Sequence, residues 1–361
     1  MTSAPAPSGG RQPDLEALRA IAALAVVFAH LPWYQYFPEG IWPDAPRWLA
    51  YRAPLLGIGG LAVVVFLVIS GAGLCRLLVL KAPRPGPYLR ARLGRLFGVF
   101  WAAALPIAVL AFAVGWQPLS QIGNVTLVLL GLGYVSKASW AALFPSWWYM
   151  AIAWQVVLVA PLMEWGMRRV RPWGVLAITA AAVVAGCYLV PLLGMDYDGE
   201  KSLMVGRALE VLGGAFVALE LWPEVRERLG VSRRAAAGLI VATVAILVGM
   251  YFTGLGGRWL YRAAGLALVA VAAYARPLAR LARVRMSAWA VAGGGASFAV
   301  YILHEPVMLL LRRLTGAPQH ISMAMLALAS LAAVLPLAVL FDRAIVAWRA
   351  HGHPRANEEG P

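Results

Sequence analysis

The feature that most constrains this chain is a series of long apolar runs that recurs from one end of the sequence to the other. Hydrophobic residues make up 61% of the 361 residues, charged residues 13%, and the mean hydropathy is +0.74. Soluble domains are nearer half apolar and a quarter charged. Because a backbone in lipid must satisfy its own hydrogen bonds, such runs predict membrane-spanning helices. The predicted fold class is therefore all-α, a polytopic bundle in the lipid bilayer.

The apolar runs predict about ten transmembrane helices between two polar tails. We expect the tails, 1–12 and 350–361, to be disordered, which leaves 13–349 as the transmembrane domain. The stretch 116–143 is too long for a simple turn, and its apolar run VTLVLLGLG indicates a re-entrant or interfacial piece. The predicted spans are 15–33, 56–79, 97–115, 144–166, 173–193, 203–222, 235–254, 259–276, 288–311 and 321–346.

The basic residues behind the net charge of +15 are distributed in a way that indicates the membrane topology. Of the 31 Lys and Arg residues, 21 fall in one set of alternating connecting segments and eight in the other. The positive-inside rule then predicts that both termini are cytoplasmic, and we do not expect a nucleic-acid partner. The excess of Arg over Lys, with high Ala, Gly and Pro, suggests a GC-rich bacterial genome and hence a bacterial cytoplasmic membrane. Two cysteines, Cys75 and Cys187, lie within apolar segments, so no disulfide or metal framework is expected.

Arg19 and His30 lie in the first apolar run, eleven residues apart. In a helix this spacing puts both side chains on one face, about 16 Å apart along the axis. One interpretation is a snorkelling arginine and an interfacial histidine. The other is a polar track across the membrane with His30 as a proton acceptor, since histidine in model peptides titrates near neutral pH, at about 6.5.

A second polar stripe lies in the ninth predicted span, SFAVYILHEP. Ser297, Tyr301 and His304 are spaced four and three residues apart and share a helix face. Glu305 is adjacent, and Pro306 is expected to kink the helix. These residues either hold helices together or take part in chemistry, and His304 should lie at a depth similar to His30.

Two further groups of residues each allow a structural and a functional interpretation. Arg90, Arg92 and Arg95, in the loop predicted to enter the third span, anchor to anionic lipid or bind phosphates. Small residues at Ser70, Gly71 and Gly73 serve close helix packing or leave room for a narrow cofactor arm.

Aromatic residues near the fourth span form an interfacial belt or a platform for a sugar ring. They are Trp147, Trp148, Tyr149 and Trp154. Arg207 and Glu210, three residues apart, are interpreted as a structural pair.

Taken together, these segments resemble the acyltransferase-3 family of integral-membrane acyltransferases. Arg19 and His30 match the Arg-x10-His motif of this family. The segment VFLVISGAG at 65–73 matches its FFVISGF-like segment, and Arg92 with Arg95 matches its basic motif. The late family pattern S-x-x-x-Y-x-x-H-x-P is matched by Ser297, Tyr301, His304 and Pro306.

The chain also departs from the family pattern. Where many relatives have VEEQFYLLxP, this sequence has IAWQVVLVAP, with Ala153 and Trp154 at the two acidic positions, while Gln155 and Pro161 are kept. Any role of those acids is therefore absent or moved. Because the chain ends soon after the tenth predicted span, we expect a stand-alone membrane module.

The resemblance implies O-acyl transfer from cytoplasmic acyl-CoA, with acetyl favoured, to a hydroxyl of a carbohydrate or glycosylated acceptor in the cell envelope, without a metal. Arg19, Ser70, Gly71, Arg90, Arg92 and Arg95 would bind the donor; Trp147, Trp148 and Gln155 would bind the acceptor. His30 would be the general base, with Tyr301, His304 and Glu305 orienting it or the acceptor. The alternative is a transporter or flippase that uses the same His/Glu/Arg track as a proton relay.

Overall fold

The computed structural model describes residues 13–35, 45–115, 117–140, 142–192, 203–252, 258–281, 288–314, 329, 332–341 and 343–344. Both tails predicted to be disordered lie outside the described residues. Within the described ranges every regular element is helical, which confirms the all-α class.

The helices follow the predicted apolar runs. The longer ones are α1 (Pro13–Gln35), α2 (Ala45–Lys81), α3 (Pro85–Ala113), α6 (Trp148–Arg169), α7 (Arg171–Leu192), α8 (Met204–Leu221), α10 (Arg233–Phe252), α11 (Arg258–Leu281) and α12 (Ala288–Leu314). The shorter ones are α4 (Ile122–Leu129), α5 (Lys137–Trp140), α9 (Pro223–Arg228) and α13 (Ala332–Phe341). Among the described residues, five helices are long and apolar enough to cross a membrane: Gly57–Lys81, Pro85–Ala113, Trp148–Arg169, Arg171–Leu189 and Arg233–Phe252. The membrane class is supported, and the number of ten spans stays a prediction.

α3 begins about a dozen residues before its predicted span. Arg84 precedes the helix, and Pro85 occupies its first turn, where a missing N–H and a fixed φ suit helix initiation. Arg90, Arg92 and Arg95 therefore lie on a helix and not in a loop, which corrects the expectation from sequence.

The segment 116–143 contains two short helices, α4 and α5, with 3-10 turns around them. The indole of Trp101 on α3 donates to the Leu129 carbonyl, and the indole of Trp154 on α6 donates to the Gly131 carbonyl. Gly131 has a φ of +73°, in the left-handed region that ends α4 without a side-chain penalty. These two hydrogen bonds attach the segment, which was predicted to be re-entrant or interfacial, to α3 and α6.

α1 packs between α2 and α12, and α2 also packs against α8 and α11. The α2–α8 crossing is close because of two glycines: a methyl group on Gly71 would overlap the Val211 carbonyl, and one on Gly214 would overlap the Val68 carbonyl. Small residues thus let two backbones approach, as expected for helices that associate in lipid.

A buried ionic cluster joins α8 to α11. Arg207 donates to Glu210 at 3.0 Å, Arg262 lies 3.4 Å from the same Glu210 oxygen, and Arg262 donates to the Gly206 carbonyl at 2.7 Å. All three charged side chains are almost fully buried. The Arg207–Glu210 pair is present as expected, and Arg262 of α11 belongs to the same cluster.

Candidate active site

A cavity of about 430 Å³ lies among α1, α2, α3, α6 and α12. It brings together side chains from five helices that are far apart in sequence. Its polar lining includes Arg19, Ser70, Arg92, Arg95, Ser297 and Tyr301.

The arginines give one part of the cavity wall a positive charge. Arg19 is 29% exposed at its side chain and donates to Glu16 at 3.0 Å, while Arg92 and Arg95 enter from α3. The lining thus carries three arginines and one glutamate. Such a surface can hold a multiply charged anion through charge-assisted hydrogen bonds.

Two predicted donor residues lie outside the cavity lining. Arg90 is exposed on the surface of α3, and Gly71 contacts the backbone of α8. Gly73 does line the cavity, and a methyl group there would meet nothing within 4 Å. The structure therefore divides the predicted small residues between helix packing and the cavity wall.

A pair of tyrosines closes the apolar part of the cavity. Tyr149 and Tyr301 have ring centroids 5.1 Å apart, and the Tyr149 hydroxyl contacts the Ser70 side chain. The Tyr301 hydroxyl is buried beside the Tyr149 backbone and makes no hydrogen bond of good geometry among the described residues. Tyr301 lines the cavity, where a ligand atom can reach it.

His30 lies behind Tyr301, next to Glu305. Its Nε2 is 3.8 Å from Glu305 Oε1, and its Nδ1 is 2.8 Å from the Val26 carbonyl oxygen. Because a carbonyl can only accept, Nδ1 carries the hydrogen and Nε2 of the neutral ring is the basic atom. This arrangement suits a histidine that receives a proton and is then stabilised as imidazolium by a carboxylate.

His304 connects the tyrosines to His30. Its ring centroid is 5.8 Å from that of Tyr301 and 5.0 Å from that of His30, and it is fully buried. Its Nδ1 donates to the Tyr301 carbonyl at 2.7 Å, which leaves Nε2 as an acceptor. Tyr301, His304 and His30 thus form a continuous series from the cavity to the carboxylate.

Glu305 is held in place by the turn before α6. The backbone N–H and the hydroxyl of Ser146 both donate to Glu305 Oε2, at 3.1 and 2.6 Å. With Oε2 occupied, Oε1 faces His30. These two hydrogen bonds fix the orientation of the Glu305 carboxylate.

Pro306 explains why that turn docks on α12. A proline has no N–H, so the carbonyl of Ile302, four residues earlier, loses its helical partner. The indole of Trp147 donates to that carbonyl at 3.0 Å. Trp147 is 3% exposed and packs edge-on against Phe100. It therefore fills the core of the helix bundle and holds the Ser146 turn in place, and its predicted role in acceptor binding stays a prediction.

The other two predicted acceptor residues also have partners within the bundle. The guanidinium of Arg207 lies 5.7 Å from the Trp148 ring. Gln155 accepts from the Met204 N–H at the start of α8 and donates to the Ala151 carbonyl. Their acceptor-binding role stays a prediction.

Two residues of the site were missed from the sequence. Glu16 precedes Arg19 by three residues, a spacing that pairs charges on a helix and could have indicated it. Ser146 is 159 residues from Glu305 and carries no comparable local signal.

The chain matches the model of the acyltransferase-3 family, described as an acyltransferase domain, over residues 12–343. The chain belongs to the acyltransferase-3 family. It is a membrane acyltransferase, and the match extends over Arg19, His30 and the α12 residues. Searches of curated proteins and of solved structures found no match.

Proposed function

We propose that this acyltransferase moves an acyl group, with acetyl favoured, from cytoplasmic acyl-CoA to a hydroxyl of a carbohydrate or glycosylated acceptor. The observation that carries the proposal is the cavity itself, which has arginines on its wall and reaches Tyr301. His30, His304 and Glu305 are not among its lining residues, and the His304 ring contacts both Tyr301 and His30. An anionic donor at the arginines and a proton acceptor at His30 would thus lie on either side of the Tyr301–His304 contact.

The donor would enter at the arginines. Arg19, Arg92 and Arg95 supply guanidinium groups for the phosphates of CoA, and the open space at Gly73 admits the slender pantetheine arm. The acyl thioester would then lie near Tyr149 and Tyr301. A hydroxyl donor such as Tyr301 can stabilise the oxyanion that develops on the thioester carbonyl.

His30 would act as the general base. Its Nε2 takes the proton of the acceptor hydroxyl while the oxygen attacks the thioester carbonyl carbon, and Glu305 stabilises the resulting imidazolium. The tetrahedral intermediate then expels the CoA thiolate as the C–S bond breaks. The imidazolium returns its proton to that sulfur, which regenerates neutral His30 and releases the free thiol.

The acceptor would approach from the side opposite the donor. Both termini and the arginine end are proposed to be cytoplasmic in a bacterial cytoplasmic membrane, and the His30 end lies toward the outer half. A hydroxylated glycan of the cell envelope is then the acceptor class that we propose.

The donor half is tested by acetyl-CoA binding to the purified protein. Arg92→Ala should weaken binding about 10- to 100-fold, since charge-assisted hydrogen bonds contribute about 1.5–3 kcal/mol. Arg90→Ala is the matched control: it removes an exposed arginine on the same helix and should leave affinity unchanged. Equal affinities of wild type, Arg92→Ala and Arg90→Ala for acetyl-CoA would show that the cavity is not the donor site.

The transfer half is tested with isotopically labelled acetyl-CoA and a panel of defined oligosaccharides and cell-envelope glycans, read by mass spectrometry. His30→Ala should retain donor affinity and lose about 10²- to 10⁴-fold in transfer rate, the usual contribution of a general base. A folded His30→Ala protein with wild-type transfer would refute the base assignment. A proton-coupled transporter would give no acylated product.

A further inference from the structure

Three groups with metal-ligand chemistry converge behind the tyrosine pair. His30, His304 and Glu305 each present one ligand atom, and these atoms lie within 4.8 Å of one another. Two of the three side chains are almost completely buried, and His30 is 23% exposed at its side chain. The cluster is thus buried except at His30.

Both histidines are oriented as metal ligands are. The Nδ1–H of His30 donates to the Val26 carbonyl, and that of His304 donates to the Tyr301 carbonyl. Such bonds fix the tautomer and direct the Nε2 lone pair outward, the usual supporting shell of a metal-bound histidine. In the described part of the chain, the buried Nε2 of His304 has no hydrogen-bond partner.

Glu305 completes the set in the same way. Ser146 occupies its Oε2, which leaves Oε1 directed at His30. In a tetrahedral zinc site, bonds of about 2.0–2.2 Å place neighbouring ligand atoms about 3.4 Å apart. The 3.8 Å between His30 Nε2 and Glu305 Oε1 is close to that spacing, and the three ligand atoms all lie within 4.8 Å of one another, so side-chain rotations that shorten the longest separation by up to about 1.4 Å would form the site.

We propose that His30, His304 and Glu305 bind a divalent transition-metal ion of the Zn²⁺ class, and that the bound ion inhibits acyl transfer. Two imidazoles and one carboxylate favour Zn²⁺ over Mg²⁺ or Ca²⁺, which prefer oxygen ligands. The ion occupies the Nε2 lone pair with which His30 would accept a proton. This inhibitory half rests on the proposed function, whereas ion binding does not.

Binding is tested by elemental analysis of protein equilibrated with zinc chloride and passed through gel filtration. The protein carries no histidine tag, and His320, His351 and His353 are replaced by alanine as a control for adventitious binding. This control protein should retain about one Zn²⁺ per chain, and further replacement by His304→Gln or Glu305→Gln should abolish it. A zinc-free control protein, or stoichiometric zinc in both cluster variants, would overturn the proposal.

His30 is partly exposed, so replacing it tests the site without altering the buried core. His30→Gln in the same control background should lose zinc binding while keeping the elution volume and thermal transition of the metal-free protein. Retention of zinc by this folded variant would overturn the assignment of His30 as a ligand.

Inhibition is measured separately in the acetyl-transfer assay. Zinc chloride at saturating concentration should lower the rate at least tenfold, and a chelator should restore it. Full activity with stoichiometric zinc bound would overturn the inhibitory role. Absence of transfer in chelator-treated protein would instead refute the proposed function and leave the binding result unaffected.

Discussion

Arg19 and His30 share one face of α1, yet each is paired with a different acid. Arg19 pairs with Glu16 on its own helix, and His30 lies beside Glu305 on α12. The local pair leaves Arg19 on the cavity wall, whereas the long-range pair draws His30 into the contact between helices. One helical face thus carries the proposed donor-binding arginine and the proposed proton acceptor, about 16 Å apart along the axis.

Ser146 is expected to control the proton acceptor through Glu305. Ser146→Ala removes the hydroxyl that binds Oε2 but keeps the backbone N–H. Loss of a hydrogen bond to a charged group costs about 1.5–3 kcal/mol, so kcat should fall roughly 10- to 100-fold. The KM for acetyl-CoA should stay constant because Ser146 is not part of the cavity lining.

The matched control is Ser139→Ala, which removes a buried hydroxyl bonded within the 133–139 turn. It should leave kcat unchanged, as measured from initial rates over a range of donor concentrations. A change in KM alone for Ser146→Ala, or equal losses of kcat in both variants, would contradict the positioning role of Ser146.

Helical periodicity alone predicts the polar stripe on α12. The four- and three-residue spacing of Ser297, Tyr301 and His304 is a local property, and all three lie together in the structure. Gly71 and Gly73 show the limit, because a small residue has the same sequence signature whether it faces a cavity or a neighbouring backbone. Only the position of α8 distinguishes them.

In α12, the carbonyl of Ile302 depends on a hydrogen-bond donor from outside the helix, the indole of Trp147. Trp147→Phe removes the donor to the Ile302 carbonyl while keeping an aromatic ring in the core. An unpaired buried carbonyl costs about 1–3 kcal/mol, so the free energy of unfolding should fall by that amount. The measurement is chemical denaturation of the protein in detergent.

Trp165→Phe is the control for this prediction. Trp165 is 58% exposed on α6, and its replacement should change the unfolding free energy by less than about 0.5 kcal/mol. Equal stability of Trp147→Phe and wild type would show that the Ile302 carbonyl finds another donor.

Helix identities were easier to predict than helix ends. Apolar content locates the part of α2 and α3 that suits lipid, but α2 begins at Ala45 and α3 at Pro85, before the apolar runs start. Helical hydrogen bonding continues through polar residues, and prolines in a first turn favour its start. The basic residues of α3 were therefore expected in a loop.

For the whole molecule, the proposed route requires its two ends to lie on opposite sides of the membrane. Ala91 is exposed beside the arginines of α3, and Ser120 is exposed in the segment that follows α3. With Cys187 replaced by alanine and Cys75 buried, a cysteine introduced at either position can be labelled selectively. Ser120→Cys should react with a membrane-impermeant thiol reagent in intact cells.

Ala91→Cys should react only after the cells are made permeable. The readout is mass-tagged protein on a denaturing gel, with both variants compared before and after permeabilisation. Labelling of Ala91→Cys in intact cells would place the arginines outside and contradict a cytoplasmic donor.

The carbonyl that Pro306 leaves unpaired has a consequence for how such a chain can change over time. An N–H at position 306 would give the Ile302 carbonyl a helical donor in addition to the indole, since a carbonyl oxygen can accept two hydrogen bonds. Replacing the proline alone therefore leaves the indole bonded, whereas replacing the tryptophan alone leaves a buried acceptor unpaired. Relatives that lack the indole at 147 should accordingly be those in which position 306 has regained an N–H, a dependence that links two distant parts of the chain.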